Sequence, residues 1–416
     1  MLGKHFSSIN ELFTNLPDPR KRSEYTINEL AWGALLMSLL KCKSRNAFNN
    51  LRRENLFQEN LEKQFNINLP HCDAVDDVFR QIEPESLEKL KIELIKRYME
   101  QKKLRDARMA DKYYLIAVDA TGIASFDHKH CEHCLTKTSK NGVITYFHYV
   151  LEAKLVTNDG LSISMATEFI ENPTGQEFDK QDCEQKAFVR LAKKLKKNFP
   201  RLPICILADG LYPNQTVFDI CHTNEWKYII TLKDKSLKTF QEEAKLLAGT
   251  AKTVSIKRKD KLWKYDLTYS YLNDIPYKDK NYSWISCNEK RTSPKGIELE
   301  PRNFVYITNI VQDADNVVLT AYCGRLRWRI ENEGFNAQKN QGYELEHQFS
   351  RISYTAMKNY YHIVQIAHFV NQLVERLGVV MAIQNEHSKT TITDLWQKLK
   401  AYLVFVDYAN SLNQRE

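Results

Sequence analysis

No stretch of this chain approaches the roughly 20 consecutive apolar residues needed to cross a bilayer, which argues against a membrane-spanning protein. The longest apolar run, from Leu30 to Leu40, reads as a buried helix. The opening residues, MLGKHFSSINEL, lack the apolar stretch of an export signal, so export is not expected. Cysteine is sparse and odd in number: there are nine, most of them isolated at irregular spacing. That argues against a disulfide framework and fits a reducing cytoplasm. No GxxxxGKS/T loop occurs, so ATP hydrolysis by that route is not expected. Internal repeats and low-complexity segments are also missing.

What is present is the composition of an ordinary globular protein, with 43% hydrophobic and 27% charged residues in a chain of 416. That length suggests two or three domains. The net charge of +8 favours polyanionic partners without requiring one. Basic runs such as Lys193-Lys194-Leu195-Lys196-Lys197 and Lys257-Arg258-Lys259 suit phosphate, but they suit a solvated face equally well.

Residues 1–110 read as an all-helical N-terminal domain for DNA binding or dimerisation. Thr26 and Glu29 make a candidate capping box, a second helix follows Ser44, and a third starts near Ser86. The texture changes at Tyr113. YYLIAVDATG reads as a buried strand ending at an acidic residue, followed by a turn at Gly122. Tyr146–Leu155 and Leu161–Ile170 are strands joined by an Asn158-Asp159-Gly160 hairpin turn. A charged helix over 178–198, a strand from Leu202 to Asp209 and a strand from Trp226 to Leu232 complete a first α/β part over 111–234. Residues 235–302 are rich in Lys and aromatics and alternate as antiparallel strands do, so they read as a β-rich insertion. NFVYITNI restores a buried strand, and the rest of 303–416 is helical: NVVLTAYCGRLRWRIENEGFNAQK, then Ala356–Leu377, then Ile392–Phe405.

Asp119 and Asp209 stand at the ends of two apolar strands. A carboxylate there is costly to leave unpaired and commonly meets water or a cation. Glu331, on the long helix after the insertion, is placed to face both. Three carboxylates form the oxygen set that Mg²⁺ or Mn²⁺ prefers, and two such ions serve phosphodiester cleavage.

IAVDATG, ILADGLYPN and RWRIENEGFNAQK resemble the three catalytic blocks of bacterial insertion-sequence DDE transposases, over about residues 110–370. The most similar branch has a β-rich insertion and a Tyr-Arg-Glu-Lys signature. The resemblance implies an α/β, RNase H-like mixed-sheet core and a DNA transposase acting through Asp119, Asp209 and Glu331 with two Mg²⁺ or Mn²⁺ ions. It implies cleavage at element ends and attack of the freed 3′-hydroxyl on target DNA. The partners would be double-stranded DNA and a second copy of the chain, in the bacterial cytoplasm. Arg327 would hold a phosphate. The signature Tyr falls at Gly324, with Tyr322 two residues away, and the signature Lys falls at Gln338, beside Lys339. Glu333 is the alternative to Glu331; on a helix the two point about 200° apart, so only one can face a shared site.

Further DNA contacts are expected from Arg325, Arg329, Lys339 and Trp263, the last flanked by Lys261 and Lys264. Exposed aromatics can stack on unpaired bases, although packing of a small β-domain accounts for most of those in the insertion. Cys131 and Cys134 form a CxxC near His128 and His130. Zn²⁺ takes about four such ligands in a tetrahedron, and a reduced thiol turn is the plainer reading. Two competing functions share the sequence: a nuclease of the same fold that does not join strands, and a non-catalytic DNA-binding protein derived from a transposase.

Overall fold

The computed structural model describes residues 8–175, 180–260, 262–347, 349–378, 380–382 and 391–407. Six helices come first: α1 (Ser8–Thr14), α2 (Ile27–Leu39), α3 (Arg45–Arg52), α4 (Asn55–Phe65), α5 (Cys72–Phe79) and α6 (Pro84–Glu100). Local signals fix where they start. The Thr26 hydroxyl accepts the Glu29 amide at 3.2 Å, and the Glu29 carboxylate accepts the Thr26 amide at 2.7 Å, so the capping box is formed. Ser44 caps α3 through the Ala47 amide, and α6 begins on Pro84, whose fixed φ suits a first turn. Eleven of the thirteen residues of α2 are buried, as expected of a helix apolar on every side.

The strands are β1 (Tyr114–Phe126), β2 (Leu135–Thr138), β3 (Ile144–Val156), β4 (Ser162–Ile170), β5 (Ile204–Ala208), β6 (Lys227–Thr231), β7 (Lys252–Lys259), β8 (Lys264–Tyr277), β9 (Lys280–Thr292) and β10 (Glu298–Thr308). They form one mixed sheet in the order β2-β3-β1-β5-β6-β10-β9-β8-β7, with β4 also on β3. Strands β1, β3 and β4 are antiparallel neighbours, while β5 and β6 run parallel to β1. Helices α7 (Glu184–Asn198) and α8 (Gln215–Thr223) make the two crossovers that parallel pairing requires. The β3–β4 turn is where the sequence predicts it. Thr157 and Leu161 close it at 3.1 Å, and Gly160 takes φ +91°, a conformation that favours glycine.

The inserted strands continue the central sheet. Tyr306 of β10 pairs with Thr231 of β6, and β9, β8 and β7 follow outward. Helix α9 (Lys238–Leu246) leads into them, and α10 (Val317–Arg325) leads back. The single long helix expected after the insertion is broken. A π-helical segment, Ile330–Asn336, follows α10, and one α-turn, Ala337–Asn340, follows that. Helices α11 (Tyr354–Glu375) and α12 (Ile392–Phe405) end the described chain.

One apolar core joins both ends of the sequence, running from Ile9 and Phe13 through the sheet to Tyr360 and Val404. Helix α11 is the shared post: α2, α5, α6 and β4 all pack on it. Buried amides on α11 fasten the N-terminal helices. Asn371 Nδ2 donates to the Leu39 carbonyl at 3.1 Å, and Asn359 Nδ2 donates to the Phe79 and Ile82 carbonyls at 2.7 Å each. We predict that Asn359→Ala, which orphans both carbonyls after α5, lowers unfolding free energy by about 1–3 kcal/mol in urea titrations. A loss near zero would mean that water replaces the amide freely. No helix among the described residues is long and apolar enough to cross a membrane.

Candidate functional site

Asp119 lies inside β1, not at its end. Parallel pairing with β5 stops at Ala117↔Leu207, while antiparallel pairing with β3 runs on to Phe126↔Tyr146. The edge of β1 toward β5 therefore opens at the level of Asp119, although the strand continues. Gly122, expected in a turn, sits in the strand beside a register shift, and the Tyr149 ring lies 3.7 Å from where its Cβ would be. Asp209 follows the last residue of β5. Two residues past the last paired positions, Asp119 and Asp209 stand level on neighbouring parallel strands.

Glu331 is carried to Asp119 by the π-helical segment. Arg327 Nη1 donates to Glu331 Oε1 at 2.7 Å and to Asp119 Oδ2 at 3.3 Å, so one guanidinium serves two carboxylates. Burial pushes Asp119 up to about 7; Arg327 opposes that shift, and the facing Glu331 carboxyl adds to it. Glu333 faces elsewhere. It pairs with Arg329, which also donates to the Asn158 carbonyl at 3.2 Å, so both belong to the β3–β4 turn. π-Helical turns are rare and recur at functional sites; here the segment sets one acid toward the sheet end and the other toward the hairpin.

Asp209 is held differently. Its Oδ1 accepts the Leu211 amide at 2.8 Å, and Lys233 Nζ donates to its Oδ2 at 2.6 Å. Gly210 gives Lys233 its path, because a Cβ there would lie 2.5 Å from the lysine Cγ. The three carboxylates do not draw together as tightly as metal ligands do. Among the described residues, the only group of three or more His, Cys, Asp or Glu ligand atoms mutually within 4.8 Å lies elsewhere.

Two nearby residues escape sequence reasoning. Glu184, the first residue of α7, accepts a hydrogen bond from the Tyr212 hydroxyl at 3.1 Å. Burial raises its pKa, and the Asp209 charge adds to the rise. Tyr212 is fully buried between these acids and the core. A cleft of about 710 Å³ opens alongside, lined by Gly122, Ser125, Lys137, Tyr149, Glu184 and Glu346 among others. Neither Glu184 nor Lys233 carries a motif; Lys233, just past β6, reaches Asp209 because β6 pairs with β5.

The signature departures have physical reasons. A Cβ on Gly324 would lie 2.7 Å from the Tyr306 ring, so that ring fills the place where a larger residue would sit. The Tyr322 hydroxyl bonds Asn158 in the β3–β4 turn. Gln338 is buried, with its Oε1 accepting from Lys154 Nζ at 3.3 Å, whereas Lys339 pairs with Glu346 at 2.6 Å at the cleft. Arg325 is drawn away to Glu289 at 2.5 Å and lies over the Phe304 ring. Trp263 is half-buried beside the β7–β8 turn, with the Arg291 guanidinium 5.7 Å from its ring. Lys261 lies outside the described residues. Of the insertion aromatics, Phe240, Tyr269, Tyr271 and Tyr282 are buried, while Trp263, Tyr265, Tyr277 and Trp284 are half-buried.

The CxxC region is also rearranged. His130, Cys131 and Cys134 converge with His148 of β3, whereas His128 is exposed and pairs with Asp127 at 2.6 Å. The zinc set read from sequence thus has His128 where the structure has His148. The tight turn sends the two histidines, two residues apart, in different directions. No known protein family's model and no curated protein matches this chain.

Proposed function

We propose that this chain is a DDE transposase of RNase H-like fold, which cuts DNA at element ends and joins the freed 3′-hydroxyl to target DNA. The observation that carries the reading is the half-buried pair Asp119 and Glu331 sharing Arg327, with Asp209 level on the next strand. The strand order β4-β3-β1-β5-β6, antiparallel over its first three members and parallel over β1, β5 and β6, supports the fold assignment.

The donor set suits hard divalent cations. It is all oxygen, and Asp119 and Glu331 face each other across a single guanidinium, an arrangement a bound divalent cation would stabilise. Asp119 and Glu331 would hold Mg²⁺ or Mn²⁺, with Asp209 joining on release from Lys233. Such ions activate an attacking hydroxyl and stabilise a leaving oxygen. The chain's own residues supply the rest. Arg327 is the cation beside the acidic pair and is the group a phosphodiester would meet there. Exposed Trp328, whose ring centroid is 4.8 Å from that guanidinium, offers a face for a base. Synapsis of two DNA ends calls for two copies of the chain.

Labelled duplexes carrying the element end, incubated with target plasmid and Mg²⁺, test this reading. Cleavage followed by a joined product is expected, and pre-cut ends should join without the first step. Cleavage without joining would make the protein a nuclease, and absence of both reactions would overturn the reading.

A further inference from the structure

Among the described residues, the most closely gathered ligand set lies where β1 turns into β2. We propose that His130, Cys131, Cys134 and His148 bind one structural Zn²⁺. This inference is independent of the acidic site and of the proposed DNA chemistry.

The geometry carries it. A tetrahedral zinc with Zn–S about 2.3 Å and Zn–N about 2.0–2.1 Å sets sulfurs about 3.8 Å apart, sulfur and nitrogen about 3.5 Å apart, and nitrogens about 3.3 Å apart. Here the Cys131 and Cys134 sulfurs are 4.0 Å apart. His148 Nε2 is 3.6 Å from one sulfur and 3.8 Å from the other. His130 Nδ1 is 3.4 Å from His148 Nε2. All four ligand atoms lie within 4.8 Å of one another. The four edges measured above fall near those of an ideal S₂N₂ site, and a disulfide's bonded sulfurs would be only about 2.05 Å apart.

The surroundings orient the ligands. His130 Nε2 lies 3.0 Å from the Arg351 carbonyl, which fixes the proton on Nε2 and leaves the Nδ1 lone pair facing the cluster. The Cys131 amide donates to the Cys134 sulfur at 3.4 Å. Stacking on both sides sets the ring planes: His130 lies on Phe126 at 4.4 Å, and His148 lies on Tyr354 at 3.9 Å. With four protein ligands, no coordination position is left for a substrate. The ion would therefore be a clamp. It would tie the 127–134 turn to β3, and would hold β2, which begins at Leu135 and forms a wall of the cleft.

The full chain, purified under reducing conditions and analysed by elemental mass spectrometry, should carry one zinc. Cobalt substitution should give tetrahedral d–d bands with a thiolate-to-cobalt charge-transfer band. Cys131→Ser and His148→Gln should each lose the ion, while His128→Gln should keep it. Chelation should lower the thermal midpoint by about 5 °C or more. If the cysteine variants do not fold, cobalt titration of the unaltered chain decides alone. Folded protein without zinc or a cobalt-thiolate spectrum, an ion retained equally by His148→Gln, or a Cys131–Cys134 disulfide as isolated would each overturn the assignment.

Discussion

Asparagine in place of Asp119 is expected to lower Mg²⁺-dependent strand cleavage by about 10³-fold or more, a loss of several kcal/mol of transition-state stabilisation. The thermal midpoint should hold or rise slightly. Burial already works against the Asp119 charge, so a neutral isostere relieves a cost that the folded state carries. That pairing of lost rate with kept stability distinguishes a functional acid from a structural one. Glu331→Gln should lower cleavage to a similar extent, because Glu331 shares Arg327 with Asp119. Glu333→Gln should change cleavage by no more than about tenfold, or about 1.4 kcal/mol, since its partner Arg329 belongs to the β3–β4 turn. Single-turnover cleavage of a labelled duplex measures all three. Wild-type rates in Asp119→Asn would remove the acidic pair from the reaction, and equal losses in the two glutamate variants would move the assignment off Glu331.

The largest loss of stability is expected from a residue one strand away, directly opposite Asp119 in the β1–β3 pairing. Glu152 of β3 is fully buried and accepts hydrogen bonds from the Thr167 hydroxyl at 2.6 Å and the Tyr361 hydroxyl at 3.0 Å. Its charge supports two buried ammoniums. Lys91 of α6 donates to Ser164 and Thr167, and Lys154 donates to Gln365 at 2.8 Å. Burial lowers the pKa of both lysines, Lys154 to about 8, and Glu152 opposes the shift in each. Removing one member of such a network strands the others without water. Glu152→Ala should therefore cost about 3–5 kcal/mol, read from denaturant unfolding followed by circular dichroism. A cost under about 1 kcal/mol would mean that the lysines are neutral in the fold and do not need the carboxylate.

The same contrast between local and distant cause separates what the sequence discloses from what it conceals. Thr26 with Glu29, Ser44 as a cap, and the Asn158-Asp159-Gly160 turn are legible because each depends on atoms within four residues. Asp209 is legible too, as the acid that ends a short apolar run. Asp119 reads as a strand end because the sequence cannot show that β3 pairs on past it. The alternation within 235–302 marks strands, but whether they form their own layer turns on the pairing of β10 with β6, from Tyr306 with Thr231 to Thr308 with Ile229. His148 is a polar residue in a β-strand pattern, unremarkable until the turn after β1 folds back onto it. The π-helical segment has no periodic signal of its own, yet it decides which glutamate meets Asp119.

The post that α11 provides also has a consequence in time. During translation the six N-terminal helices can pack on one another, but the faces that meet α11 have no cover yet, because Asn359, Tyr360 and their neighbours are more than 250 positions away. Domains usually fold as units in the order they are made, and exposed apolar surface on an unfinished chain invites aggregation. This core cannot close until α11 has left the ribosome. A transcript cut short before residue 354 would therefore yield a chain whose α2, α5 and α6 keep exposed the faces that α11 covers in the finished fold.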